Sequence, residues 1–224
     1  MNHLFFSARA LRLALMLMIL SACTACSASA DKRDTAATKA ASAPDTTLWQ
    51  TDYVRIAPTD LRDNVFDLIA KQWMLVTAGN PQSFNTMTAS WGAMGELWGR
   101  PTAIIFIRES RYTYEFLQRE QTFTLSFFDE AYRQALTICG TRSGRASDKV
   151  SEAGLTPLST PAGMMTFTQA RMVLECRTML QQPLDLDLLA APYRDAVLQG
   201  CYSRDTAHHQ VFFAEITAVY LRQE

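Results

Sequence analysis

Residues 122–149, TFTLSFFDEAYRQALTICGTRSGRASDK, decide the fold. Thr122 to Phe128 alternates polar and apolar positions, the period of a strand. From Glu130 to Cys139 the period lengthens to that of a helix, with Ala131, Ala135 and Ile138 inward and Gly140 as the stop signal. The turn from Gly140 to Lys149 is dense in small residues, hydroxyls and positive charge. Thr141, Ser143, Arg145 and Lys149 supply donors and charge for a phosphate, and Gly144 lets the main chain come close. Ser147 to Ala153 reads as one more helical turn.

The same reading extends in both directions. Pro58-Thr59-Asp60 opens a predicted helix with Leu61, Val65, Leu68 and Ile69 on one face. Trp73 to Ala78 is a strand, Gly79-Asn80-Pro81 a turn, and Phe84 to Trp91 a second strand. Pro101 to Arg108 (PTAIIFIR) is a third strand, after which Ser110 caps a short helix carrying Tyr114 and Leu117. Arg171 to Leu180 and Val211 to Leu221 are long closing strands, separated by an excursion from Pro183 to Asp205. Many short strands with few helices predict a mainly β protein, a closed or nearly closed β-barrel with added helices. There is no internal repeat. Neither GxGxxG nor GxxxxGK[ST] occurs, so the common dinucleotide and triphosphate cradles are excluded.

Residues 1–22 read as an export leader, with Arg9 and Arg12 before a short apolar run from Leu13 to Leu20. That run is far below the ~20 residues of a membrane-spanning helix. Leu20-Ser21-Ala22-Cys23 resembles a bacterial lipobox, which implies cleavage before Cys23 and acylation of that residue; an ordinary cleaved leader is the alternative. Thr24, where inner-membrane lipoproteins often carry Asp, points toward the outer membrane of a cell envelope. Residues 23–47 hold no large apolar side chain and read as a flexible tether, leaving 48–224 as one folded domain. The net charge of −1, without a basic face, argues against nucleic-acid binding. Cys26, Cys139, Cys176 and Cys201 match no zinc-site spacing, so no metal is expected; one disulfide is compatible with the count.

Several segments occur in order: NTMTASWGAMGELWGRP (85–101), IRESRYTYEFL (107–117), FTLSFFDEAYRQAL (123–136), CGTRSGRASDK (139–149), VLEC (173–176) and HQVFFAEITAVY (209–220). Together they resemble the flavin reductase-like proteins of the FMN-binding split-barrel superfamily, across roughly residues 63–220. The resemblance implies a six-stranded Greek-key barrel, a homodimer, and FMN held without a covalent bond near the subunit interface. It also implies a redox role: FMN accepts a hydride or electrons and passes them on. NAD(P)H is the donor in flavin reductases. For an exported chain an envelope partner (a quinone, a haem protein or another flavoprotein) takes its place. The alternative is a binding module that holds FMN or haem without turnover.

On residue types and resemblance together, the phosphate falls to two places. One is Arg111, Tyr112 and Thr113, in the first turn of a helix whose free N–H groups and dipole favour an anion. The other is Gly140, Thr141, Ser143, Gly144 and Lys149. Read structurally, the first is merely a cap and the second a solvated loop. The ring falls to Thr88, Ala89, Ser90 and Trp91, where small residues admit the backbone to its polar edge. Trp91 and Trp98 either wall this slot, pack at an interface or belong to the core. Cys139 is a candidate flavin contact or a small buried residue at a helix end. His209 matches a histidine common in the family and invites an acid/base reading against a structural one, as does His208. Relatives often carry Gly where this chain has Ala214, whose methyl group is expected to narrow a nearby pocket.

Overall fold

A computed structural model of the chain describes residues 47–223. The leader, Cys23, Cys26 and the tether up to residue 46 lie outside the described residues. In chain order the elements are α1 (Thr47–Thr51), β1 (Tyr53–Ile56), β2 (Met74–Asn80), β3 (Ser83–Ala89), β4 (Gly92–Leu97), β5 (Arg100–Arg108), α2 (Tyr112–Glu120) and β6 (Thr122–Phe127). They continue with α3 (Arg133–Thr141), α4 (Lys149–Glu152), β7 (Pro157–Ser159), β8 (Met165–Phe167), β9 (Met172–Pro183), α5 (Ala191–Cys201) and β10 (His209–Arg222).

β6 is buried on both faces from Phe123 onward, because each face meets a different core. Phe123, Leu125 and Phe127 point with Met74, Val76, Leu174 and Phe212 into the first core. The opposite face of the sheet, with Leu75, Val173 and Tyr220, packs under Leu136 and Cys139 of α3, Phe167 of β8 and Trp49 of α1. The period of two thus divides β2, β9 and β10 between two apolar clusters. Polar pairs fasten the small β7–β8 hairpin to this second face: Thr124 Oγ1 donates to the Met165 carbonyl (2.6 Å), and the Ser126 and Thr166 hydroxyls meet at 2.7 Å.

All pairings are antiparallel, in the order β3-β2-β6-β9-β10-β5-β4, with β1 also on β10. β3 and β4 stand at opposite ends of that order, yet only Ser90 and Trp91 separate them in the chain. Three Cα steps reach at most about 11 Å. The sheet must therefore curl until its two ends meet. β3 approaches β5 without main-chain pairing, and this is the split of the barrel. β4 pairs only with Arg100–Ile105 of β5, so Phe106, Ile107 and Arg108 face the split on that edge. Six strands, β3-β2-β6-β9-β10-β5, wrap the first core as expected; β1 and β4 extend the sheet.

Several predicted elements differ. The helix from Pro58 is a single 3-10 turn ending at Asp60. A new helical stretch, π-type over Asp67–Gln72, starts where Asn64 Oδ1 accepts from the N–H groups of Phe66 (2.9 Å) and Asp67 (3.3 Å). The second strand stops at Ala89, and an unforeseen β4 follows after Ser90 and Trp91 and joins β5 through a turn with positive φ at both Trp98 (56°) and Gly99 (70°). Arg111 occupies the N-cap position of α2 without a side-chain cap, and the Ser110 hydroxyl donates instead to Asp205 Oδ2 at 2.9 Å. α3 runs through Gly140 to Thr141 and buries Ala135, Leu136 and Cys139, while Ala131 is exposed in a preceding 3-10 turn. The excursion contains α5, which carries Pro192 in its first turn. The three described cysteines are free.

The first core sets the stability. Leu125→Ala, at a side chain 1% exposed, is expected to destabilise the domain by about 2–5 kcal/mol in denaturant unfolding, with the denaturant slope unchanged.

Candidate functional site

Two adjoining cavities open at the split. The first, about 180 Å³, is lined by Thr88, Ala89, Ser90 and Trp91 from the end of β3, by Phe106 and Arg108 from β5, and by Arg111 and His209. The second, about 250 Å³, lies between Ser110–Thr113 at the start of α2, Thr141 at the end of α3, and Arg142, Ser143 and Lys149 beyond it, with Asp205 also on its wall. Met87 and Arg111 line both. The two phosphate places and the ring strand read from the sequence are thus brought together, apart from Cys139, Gly140 and Gly144, which line neither cavity.

Lys149 gives the second cavity its character. It is 4% exposed, and its ammonium donates only to the carbonyls of Cys139 and Arg142, both at 3.3 Å. No carboxylate pairs with it among the described residues. Burial, reinforced by the Arg111 guanidinium, holds it below the usual lysine value despite the opposing Cys139 thiol. Arg111 Nη1 donates to the Gly140 carbonyl at 3.0 Å. Two cations therefore converge on the negative C-terminal end of α3 and face the positive N-terminal end of α2. An ammonium with three donors and two long partners, opposite free helix N–H groups, is a donor set that fits a phosphate monoester.

The glycines act by packing. A Cβ on Gly140 would lie 3.2 Å from that of Thr88, and one on Gly144 only 2.1 Å from Asn85 Oδ1. α3 and its following loop are thereby pressed onto β3. The Thr88 hydroxyl is committed to the Leu136 carbonyl, and Asn85 Nδ2 donates to Thr113 Oγ1 at 2.7 Å. Arg145 is not a free phosphate ligand: it pairs with Glu115 and stacks 4.7 Å from the centre of the Tyr112 ring. Cys139 points into the second core, where burial pushes its thiol up to about 11, so only its carbonyl serves the site. Ala214 is buried in the first core and narrows neither cavity. Trp91 and Trp98 are exposed rather than core residues.

Sequence reasoning missed a cluster beside the ring cavity. Arg108 donates to the carbonyls of Cys201, Asp205 and Ala207 and lies 4.8 Å from the centre of the Tyr202 ring. The Tyr202 hydroxyl meets His209 Nδ1 at 2.7 Å. A strand-end arginine beside the split was the available signal; its partners, 93–99 residues away, were not. Burial first, then Arg108, hold His209 down at about 4, with Asp205 opposing.

Residues 66–224 match the flavin reductase like domain, well over half of the chain, and the chain belongs to that family. The fold matches the FMN-binding domain of a flavin reductases-like enzyme from Shewanella baltica at 14% identity and TM-score 0.54, covering 75% of this chain and 76% of that one. It also matches flavoredoxin of Desulfovibrio vulgaris (23% identity, 66% and 68% covered, TM-score 0.51). Flavoredoxin from Methanosarcina acetivorans follows with 19% identity, 67% and 68% covered and TM-score 0.51. The shared architecture is the FMN-binding split barrel. No curated protein sequence matches the chain.

The depressed His209 value has a consequence for stability. Between about pH 4 and pH 6.5 the unfolded chain holds the histidine proton and the folded chain does not, so stability falls as pH falls through that window. His209→Gln should show a shallower pH dependence there in urea unfolding, with the two curves parallel above it.

Proposed function

We propose that this protein is an FMN-binding redox flavoprotein, of flavin reductase or flavoredoxin type. The observation that carries the reading is Lys149, a buried cation that pairs with no carboxylate among the described residues, set across a small cavity from the N-terminal turn of α2. A phosphate there would meet the charges of Lys149 and Arg111, the N–H groups of Tyr112 and Thr113, and the hydroxyl of Ser143, whereas the Thr141 hydroxyl is committed to the Thr137 carbonyl at 2.8 Å. The neighbouring cavity offers main chain at Ala89, Ser90 and Trp91 to a planar ring, and Arg111 stands between the two compartments. Bound FMN would supply the electron-accepting and electron-donating chemistry; the chain supplies position, polarity and shelter from water.

A homodimer belongs to the same proposal. The ring cavity is small for a ligand site, whose usual volume starts near ~300 Å³. Through Ser90, Trp91 and Phe106 it continues into an apolar groove of about 700 Å³ lined by Val65, Phe66, Ile69 and Met94. Phe66 is 84% exposed in the single chain. A second copy laid over this groove would bury Phe66 and complete the slot. We also propose export with lipid on Cys23 of the tether, so that the electron donor is an envelope component rather than NAD(P)H.

Two outcomes test the site and the assembly. Lys149→Met should weaken FMN binding by about 1.5–3 kcal/mol and leave riboflavin binding unchanged, as titration calorimetry would show. Equal loss for both ligands contradicts the assignment. In sedimentation, the wild-type protein should run at twice the chain mass and Phe66→Asp at the chain mass.

A further inference from the structure

α5 buries none of its own residues, yet Tyr202, immediately after it, is 7% exposed. Arg108 holds that position. Its guanidinium gathers the carbonyls of Cys201, Asp205 and Ala207 and covers the Tyr202 ring. The tyrosine ring stands at 90° to the His209 ring, with its hydroxyl on Nδ1. On its other side His209 lies against Trp91, ring centres 5.0 Å apart, and it lines the ring cavity. The imidazole is 6% exposed. Nε2 has no partner among the described residues.

The hydrogen-bond inventory of this pair selects one tautomer. Among the described residues His209 is the only hydrogen-bond partner of the Tyr202 hydroxyl. If Nδ1 carried the ring proton and donated it, the Tyr202 O–H would be left buried without an acceptor. If the hydroxyl donates to Nδ1, the Tyr202 proton is used and the ring proton sits on Nε2, free for an acceptor in the cavity that His209 lines. The charged groups around the imidazole are Arg108 from β5, Arg111 before α2 and Asp205 from the excursion; the two guanidiniums outweigh the carboxylate and favour a neutral ring.

We propose that Tyr202 is a positioning residue: it fixes His209 as a neutral imidazole whose Nε2–H points into the ring cavity as a hydrogen-bond donor to the polar edge of the flavin. The excursion that carries α5 is thereby tied to the cofactor through one hydrogen bond and one arginine. The role rests on the flavin reading above. A neutral donor adds no charge to the site, so flavin affinity is set to stay level across the pH range in which an ordinary histidine titrates.

Nitrogen NMR of the full-length protein with labelled histidine tests this, His209 being assigned by its loss in His209→Gln. The wild type should show an unprotonated Nδ1 and a protonated Nε2, with or without ligand. Tyr202→Phe, which keeps the ring over which Arg108 lies, should give a mixture of tautomers. It should also lower FMN and riboflavin affinity by the same factor, about two- to tenfold for one hydrogen bond. His209→Gln, whose amide reaches the Nε2 position, should retain more affinity than His209→Asn. A protonated Nδ1 in the wild type overturns the proposal, as does a Tyr202→Phe protein that binds flavin undiminished. If the wild type binds neither FMN nor riboflavin, the flavin reading itself fails and this role falls with it.

Discussion

A lysine ammonium removed from water needs a counter-charge or a dense set of acceptors, and Lys149 has only two main-chain carbonyls at 3.3 Å. Leaving a charge in that state costs several kcal/mol in ordinary proteins, by order of magnitude. The arrangement makes sense when the missing partner is an anion from outside. Everything around Lys149 serves this end. α3 ends there with its carbonyls toward the cation, α2 begins opposite with its N–H groups free, and Arg111 joins the two. Glu115, in the first turn of α2, is occupied by Arg145, and the carboxylate on the cavity wall, Asp205, accepts from the Ser110 hydroxyl and the Ala207 N–H rather than from Lys149.

The barrel fixes where this arrangement stands. Because two residues link the outermost strands of the sheet, the ends of β3 and β5 are forced together, while β4 stops short of Phe106. The gap left there is a place where main-chain polar groups face a cavity instead of a neighbouring strand. Close packing at Gly140 and Gly144 then draws α3 and its following loop down onto β3, which sets the proposed phosphate compartment beside the gap. Fold and site are thus one construction: the closure that defines the barrel also creates the slot.

Much of this was legible in the residues. The switch from period two to a helical period within residues 122–149 marks β6 and α3 plainly, and the hydroxyl-rich turn after them marks the proposed anion site. Other parts were hidden for physical reasons. β4 escaped because its hairpin turn is Trp98-Gly99, without the Asn-Gly pair that usually signals two positive φ angles. α5 escaped because it has no buried stripe to impose a period. Gly140 was misread as a stop because its role is contact with Thr88, a residue remote in sequence. Arg145 and Lys149 look equivalent as charges in one loop; only the fold pairs the first with Glu115 and buries the second. Cys139 looked available beside a glycine, but its helix turns the thiol into the core.

The central claim is that an external phosphate completes the charge around Lys149. Phosphorus NMR of FMN bound to the protein, followed through the pH range of the second phosphate ionisation, tests it directly. Held between an ammonium, a guanidinium and a helix N-terminus, the phosphate should stay dianionic and its resonance should remain flat as the pH is lowered through about 6, where a free monoester takes up its proton. A bound resonance that titrates along with that of free FMN would mean that the phosphate lies in solvent, and the account would be wrong.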